Sequence, residues 1–161
     1  MNARLGILAL APLLAGASLS AQARPACQVV PKSLPAMHDC YRPLLVFSPD
    51  GTDPRLKEQT ATLDAAADDM MDRFVMLTPI VPDAKAISAP LDAPFTLLSQ
   101  REMDSIRARY HVPAGEFVIL LLGEDGSEKL RSTKPVAADR LNALIDSMPG
   151  RQAEMRRPHA N

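Results

Sequence analysis

Phe117 to Leu122 are six apolar residues in a row, with β-branched Val118 and Ile119 among them, the pattern of a strand buried on both faces. Gly123-Glu124-Asp125-Gly126 follows, and its Asp-Gly pair puts a glycine where a tight hairpin needs a positive φ. Ser127 to Ser132 is short and charged, which predicts an edge strand. After Pro135, Ala137, Leu141, Leu144, Ile145 and Met148 recur at helical spacing, so an amphipathic helix is predicted there, stopped by Pro149 and Gly150.

The same reading extends upstream. Leu44 to Ser48 is a compact apolar run closed by Pro49-Asp50-Gly51, a first core strand and its turn. Asp53 and Pro54 then supply an N-cap and a first helical residue, and Leu56, Leu63, Ala66, Ala67 and Met70 mark one face of a single helix of about 19 residues ending near Asp72. Phe74 to Val81 is the second strand, its far end demoted to an edge by Pro79. From Pro82 to Leu98 neither period persists. Ser99 and Glu102 have the spacing of a capping box, in which each side chain satisfies the other's backbone donor, and Met103, Ile106 and Tyr110 give the buried stripe of a helix ending near His111. The order predicts an α/β domain over 41–150: a thioredoxin-like sandwich with a mixed four-stranded sheet (β-α-β-α-β-β-α) and helices on both faces.

Residues 1–23 stand apart from this plan. Arg4 precedes an apolar run from Leu5 to about Leu19, and Ala21-Gln22-Ala23 offers small residues for cleavage, so a signal peptide and an exported, periplasmic or secreted, protein are expected. The run is short for a membrane span, and no later segment reaches the roughly 20 apolar residues that a span needs. Cleavage after Ala23 leaves about 138 of the 161 residues, enough for one domain. The leader removes only Arg4 from 18 basic side chains against 19 acidic ones, so the mature chain stays weakly acidic, which argues against nucleic acid as a partner.

Cys27 and Cys40 are the only cysteines, and export favours a disulfide between them. It would tie an extended N-terminal arm, residues 24–40 with a short strand at Cys27 to Val30, to the first core strand. A redox-active pair is the alternative, although the close approach of Cys-X-X-Cys is absent. His38, Asp39 and Cys40 have no second ligand pair at metal spacing, so no metal is expected. Glycine is too sparse for a phosphate loop, and no cofactor is expected. Lys129, Arg131 and Lys134 read as a solvated edge, and residues 151–161, with Arg151, Glu154, Arg156 and Arg157, as a flexible basic tail.

Several of these segments together resemble a family of unknown function, domain of unknown function 4174, over roughly Tyr41 to Met155. The matching residues are Leu44-Leu45-Val46-Phe47, Asp53-Pro54-Arg55-Leu56 with Gln59, Gly115-Glu116-Phe117, Leu122-Gly123-Glu124-Asp125-Gly126 with Lys129-Leu130-Arg131-Ser132, and Ile145-Asp146-Ser147-Met148-Pro149 with Arg151, Glu154 and Met155. Bacterial members are short exported proteins, and animal relatives occur in extracellular sushi-repeat proteins. Where the family's hairpin looks like Gly-Lys-Asp-Gly and its ending like Met-Pro-Met-Arg, this chain has Glu124 and Gly150. The resemblance implies a thioredoxin-like, peroxiredoxin-related fold with no established activity.

In thioredoxin-like enzymes the working cysteine follows the first core strand, where a helix N-terminus favours a thiolate. Here that place reads Ser48-Pro49-Asp50-Gly51-Thr52-Asp53-Pro54. A carboxylate cannot replace a thiol in disulfide exchange. Glu116 and Phe117 stand where such enzymes place the proline that faces the thiol. The expectation is a non-catalytic module that binds an unknown protein or small ligand through Ser48, Asp50, Thr52 and Asp53. The alternative is a periplasmic thiol-disulfide or peroxide-related protein using Cys27 and Cys40. Asp50 and Asp53 also have plain structural roles, in the turn and the helix cap.

Overall fold

A computed structural model describes residues 27–156; the expected leader and the last five positions of the tail lie outside the described residues. Four strands form one mixed sheet: β1 (Arg42–Phe47), β2 (Val75–Ile80), β3 (Val118–Leu122) and β4 (Glu128–Ser132), in spatial order β2-β1-β3-β4. β1 pairs parallel with β2, Leu44 opposite Leu77, and antiparallel with β3, Leu44 opposite Leu121. Every residue of β1, β2 and β3 is buried, the polar Arg42 and Thr78 included, as in strands covered on both faces. β4 is mostly exposed and charged, the edge its composition predicts.

The helices are α1 (Pro54–Asp64), α2 (Ala67–Asp72), α3 (Gln100–Arg109), α4 (Ala138–Asp146) and α5 (Pro149–Met155). α1 packs beside α2, and α4 reaches α2 where Asn142 Nδ2 donates to Asp69 Oδ2 at 3.0 Å. The buried Gln59 amide donates to Val136 O at 3.1 Å and accepts from Val136 N at 2.7 Å, pairing α1 with the backbone before α4 much as a strand would. α3 takes the other face, with Tyr110 edge-on to Phe47 at 6.4 Å.

Four local expectations change. The single helix to Asp72 is two helices, broken at Ala65–Ala66 where Ala66 leaves helical geometry at φ −118°. No glycine or proline marks the break; instead the Asp64 carboxylate accepts from Leu91 N, Asp92 N and Ala93 N, anchoring a loop to the last turn of α1. Only half of the capping box forms: Ser99 Oγ accepts from Glu102 N at 3.3 Å, while Glu102 Oε1 accepts from Leu34 N at 3.0 Å. Cys27 to Val30 is not a strand, and among the described residues of the arm the only regular piece is a short 3-10 turn at Pro35–Met37.

The fourth correction concerns the tail. Pro149 does not end structure but opens α5 as its first residue, a place where its missing N–H costs nothing. Arg151 is 7 % exposed, with its guanidinium on the Asp72 carbonyl and carboxylate and close to Glu154 and Asp146.

The segment 82–98 is ordered too. Leu77 N donates to Pro94 O at 2.9 Å and Thr96 N to Leu77 O at 3.0 Å, so the chain returns along the outer edge of β2. Pro79, two residues on and facing the same way, has its missing N–H on that outer edge and removes no bond to β1.

Candidate functional site

The bend after β1 is built from its own side chains. Ser48 is fully buried; its N–H donates to Ile80 O and its Oγ donates to Asp50 O at 2.8 Å. Asp50 Oδ1 accepts from both Thr52 N and Thr52 Oγ1 at 2.7 Å, and these bonds hold its carboxyl below the usual carboxylate range. Asp53 caps α1 by accepting from Arg55 N at 2.8 Å and receives the Arg55 side chain at 3.0 and 2.6 Å. That guanidinium lowers the Asp53 pKa and lies 4.6 Å over the Phe117 ring.

Two neighbours fix the bend from below and beside. Arg107 donates to Ser48 O, Ile80 O and Pro113 O at 2.8–3.1 Å, clamping the ends of β1 and β2 and the loop before β3. Gly51 presses on the turn at Ala84–Ala86, where a Cβ would meet the Ala86 carbonyl carbon at 2.8 Å. The structure therefore brings Ser48, Asp50, Thr52 and Asp53 into one loop. It commits Ser48 and Asp53 inward, leaving Asp50 and Thr52 exposed. Beside the loop, between α1 and residues 87–91, runs a groove of about 280 Å³, and Leu91 at its edge is 91 % exposed.

Cys27 and Cys40 form a disulfide, with Cα atoms 5.6 Å apart. Cys40 precedes β1 whereas the bend follows it, and a six-residue strand spans about 20 Å. The bridge thus lies at the opposite end of β1 from the Ser48–Pro54 bend. Among the described residues no group of three His, Cys, Asp or Glu side chains is arranged to hold a metal ion, and no helix is long and apolar enough to cross a membrane.

A cluster that sequence reasoning missed lies where β1 begins. Arg42, 2 % exposed, donates to Arg73 O and Glu154 Oε1, both at 2.8 Å, and approaches Glu124 Oε1 at 3.4 Å. Arg73 forms a two-point pair with Asp146 at 3.0 and 2.8 Å and raises its own pKa by doing so. The only signal was indirect: Asp146, Arg151 and Glu154 belong to the segments that carry the family resemblance, whereas Glu124 departs from the family's hairpin pattern.

Several solved structures share this architecture, peroxiredoxins among them. Thioredoxin peroxidase I of Plasmodium yoelii matches with TM-score 0.58 and 21 % identity over 80 % of this chain and 84 % of its own. The 2-Cys peroxiredoxin of Plasmodium vivax in its reduced form matches with TM-score 0.58 and 20 % identity, over 74 % and 84 %. The mitochondrial 2-Cys peroxiredoxin of Plasmodium falciparum gives TM-score 0.57 and 15 % identity, over 77 % and 84 %. At such identities the likeness establishes the fold, a thioredoxin-like one, and nothing of the chemistry. The chain itself belongs to the family described as Domain of unknown function (DUF4174), whose model matches residues 33–154. Among curated protein sequences none matches.

Proposed function

We propose that this is an exported binding module that keeps the thioredoxin-like scaffold without its thiol chemistry, contacting a protein or small ligand through the Ser48–Pro54 loop and the adjoining groove. The observation that carries it is the composition of the bend. The position where this fold places a reactive thiolate holds Ser48, Asp50 and Asp53, and both cysteines are bridged at the other end of β1. Asp53 and the Arg55 guanidinium occupy the N-terminus of α1 and use its donors for capping. Exposed Asp50, Thr52 and Leu91 supply the polar and apolar contacts that a partner would use. Export rests on the leader pattern around Arg4 and Ala23 and is supported by the disulfide, which persists in oxidising compartments.

The reading is tested by placing a photoreactive side chain at Thr52 and, as a control, at Arg131 on β4, then irradiating the mature protein in an envelope extract of its native host. A discrete adduct at Thr52 and none at Arg131 is the expected result. No adduct at Thr52, or the same adducts at both positions, would contradict it.

A further inference from the structure

A second concave site lies outside the loop. It is a recess of about 420 Å³ between the N-terminal arm, the end of α3 and the β3–β4 hairpin, and no residue of Ser48–Pro54 lines it. Its volume is in the range of small-molecule pockets. Its floor is made by Met37, Pro43 and Leu122, all buried. Tyr41 and Tyr110 stand on its walls. Asp39 N donates to Glu124 O at 2.9 Å and joins the arm to the hairpin, while His38 comes so near the hairpin that a Cβ at Gly126 would lie 3.6 Å from its ring. The site is therefore shaped by three separate elements held together by hydrogen bonds.

The charges around it are unequal in what they have left to offer. Glu124 faces Arg42 at 3.4 Å. Asp125 accepts from Ser127 N at 3.0 Å and from Lys129 at 3.0 Å, which together hold its pKa at about 2. Arg109 is different: it lies 5.6 Å over the Tyr110 ring and has no carboxylate within ion-pair distance among the described residues. The carbonyls near it at the end of α3 are already taken, since His111 N donates to Ala108 O and Val112 N to Arg107 O at 3.2 Å. Tyr41 Oη donates to Gln28 O, whereas Tyr110 Oη has no hydrogen-bond partner among the described residues.

An apolar floor, a free phenol and one uncompensated guanidinium define the occupant's chemistry. We propose that the recess binds a carboxylate carried on an apolar or aromatic body, with Arg109 and Tyr110 Oη receiving the carboxylate and Pro35 and the Tyr41 and Tyr110 rings, above the buried floor, the body. Both a free organic acid and the C-terminal carboxylate of a peptide present that chemistry. A cationic ligand is disfavoured because the nearby carboxylates already have partners.

The test is an NMR titration of the full mature protein with 3-phenylpropanoate, with the neutral 3-phenylpropanamide, and with a short peptide ending in phenylalanine as free acid and as amide. Shifts confined to Arg109, Tyr110, Leu122 and Gly126 are expected. The amide should bind about tenfold more weakly than the acid, the loss of one charge-assisted contact. Arg109→Gln, an exposed position, should abolish the preference for the acid, and Tyr110→Phe should weaken it while keeping the fold. If the peptide acid binds more tightly than the free acid, chain termini are the source; the reverse order assigns free acids. Absence of shifts with both acids, equal binding of acid and amide, or an Arg109→Gln protein that still prefers the acid would overturn the proposal. A substitution at Thr52 leaves this titration unchanged, so its outcome is independent of the loop's role.

Discussion

Arg42 Nη2 lies 2.8 Å from Glu154 Oε1, joining the first residue of β1 to a helix at the far end of the chain. Arg42 is 2 % exposed and Glu154 is 11 % exposed at its side chain, so neither charge can fall back on water if the other is removed. Glu154→Ala should therefore destabilise the domain by up to about 3 kcal/mol, because it leaves the buried Arg42 with only the longer pair to Glu124 and takes a carboxylate from Arg151 as well. Denaturant unfolding would show a lowered midpoint with unchanged slope. A substitution at exposed Gln152 on the same helix should move the midpoint little, and equal effects at the two positions would contradict this account.

The bridge between Cys27 and Cys40 closes a loop of about 14 residues, worth about 3 kcal/mol in the chain-entropy model. Reduction should lower stability by no more than that and should not release the arm. Thr96 Oγ1 donates to Pro31 O, Leu34 N to Glu102 and Asp39 N to Glu124 O without help from the sulfurs. Hydrogen exchange on the reduced protein should leave the amides of Leu34, Met37 and Asp39 protected. Full exchange of these amides would show that the bridge alone holds the arm.

His111 ends α3 with φ +54°, as the left-handed residue of a Schellman cap whose usual occupant is glycine. A non-glycine residue there carries strain of about 1 kcal/mol, offset in part by glycine's larger unfolded-state entropy. His111→Gly should raise the melting temperature by a few degrees. A fall would mean that the imidazole makes a stabilising contact of its own.

Much of this architecture could be read from the chain, because the informative signals were local. The run Phe117 to Leu122, the Asp53-Pro54 cap and the turn closed by Gly126 at φ +71° each specify a conformation from a few adjacent residues. What escaped was decided by partners distant in sequence. Ala65 and Ala66 are good helix formers, and the helix breaks there where Asp64 holds the backbone of Leu91 to Ala93. Arg151 and Glu154 read as a solvated tail until α5 places them against Asp72 and Arg42. The loop residues Ser48, Asp50, Thr52 and Asp53 were visible as a group, but their mutual bonding was not. Arg109 and Tyr110 drew no notice as a site because the recess they border needs the arm and the hairpin to exist.

Several carboxylates titrate low in the folded protein. Asp125 is held at about 2 by the Ser127 backbone and by Lys129, and Asp146 is lowered first by Arg73. Folded-state values below the ordinary 3.8 mean that these groups stabilise the fold above that pH and cease to do so as pH falls toward 2. Urea midpoints should be steady from pH 7 to 5 and fall between about pH 4 and 2. Asp146→Asn should be less stable at neutral pH and show a shallower acid decline. A decline as steep as that of the native protein would assign the acid sensitivity elsewhere.

The central claim, a thioredoxin-like scaffold without thiol catalysis, is tested most directly by turnover. The purified mature protein, reduced and oxidised, would be assayed for hydrogen peroxide consumption with a coupled thiol donor and for reduction of insulin disulfides. The account predicts rates equal to those of the Cys27→Ser/Cys40→Ser protein and of buffer. Enzyme-like turnover that Cys40→Ser abolishes would contradict it.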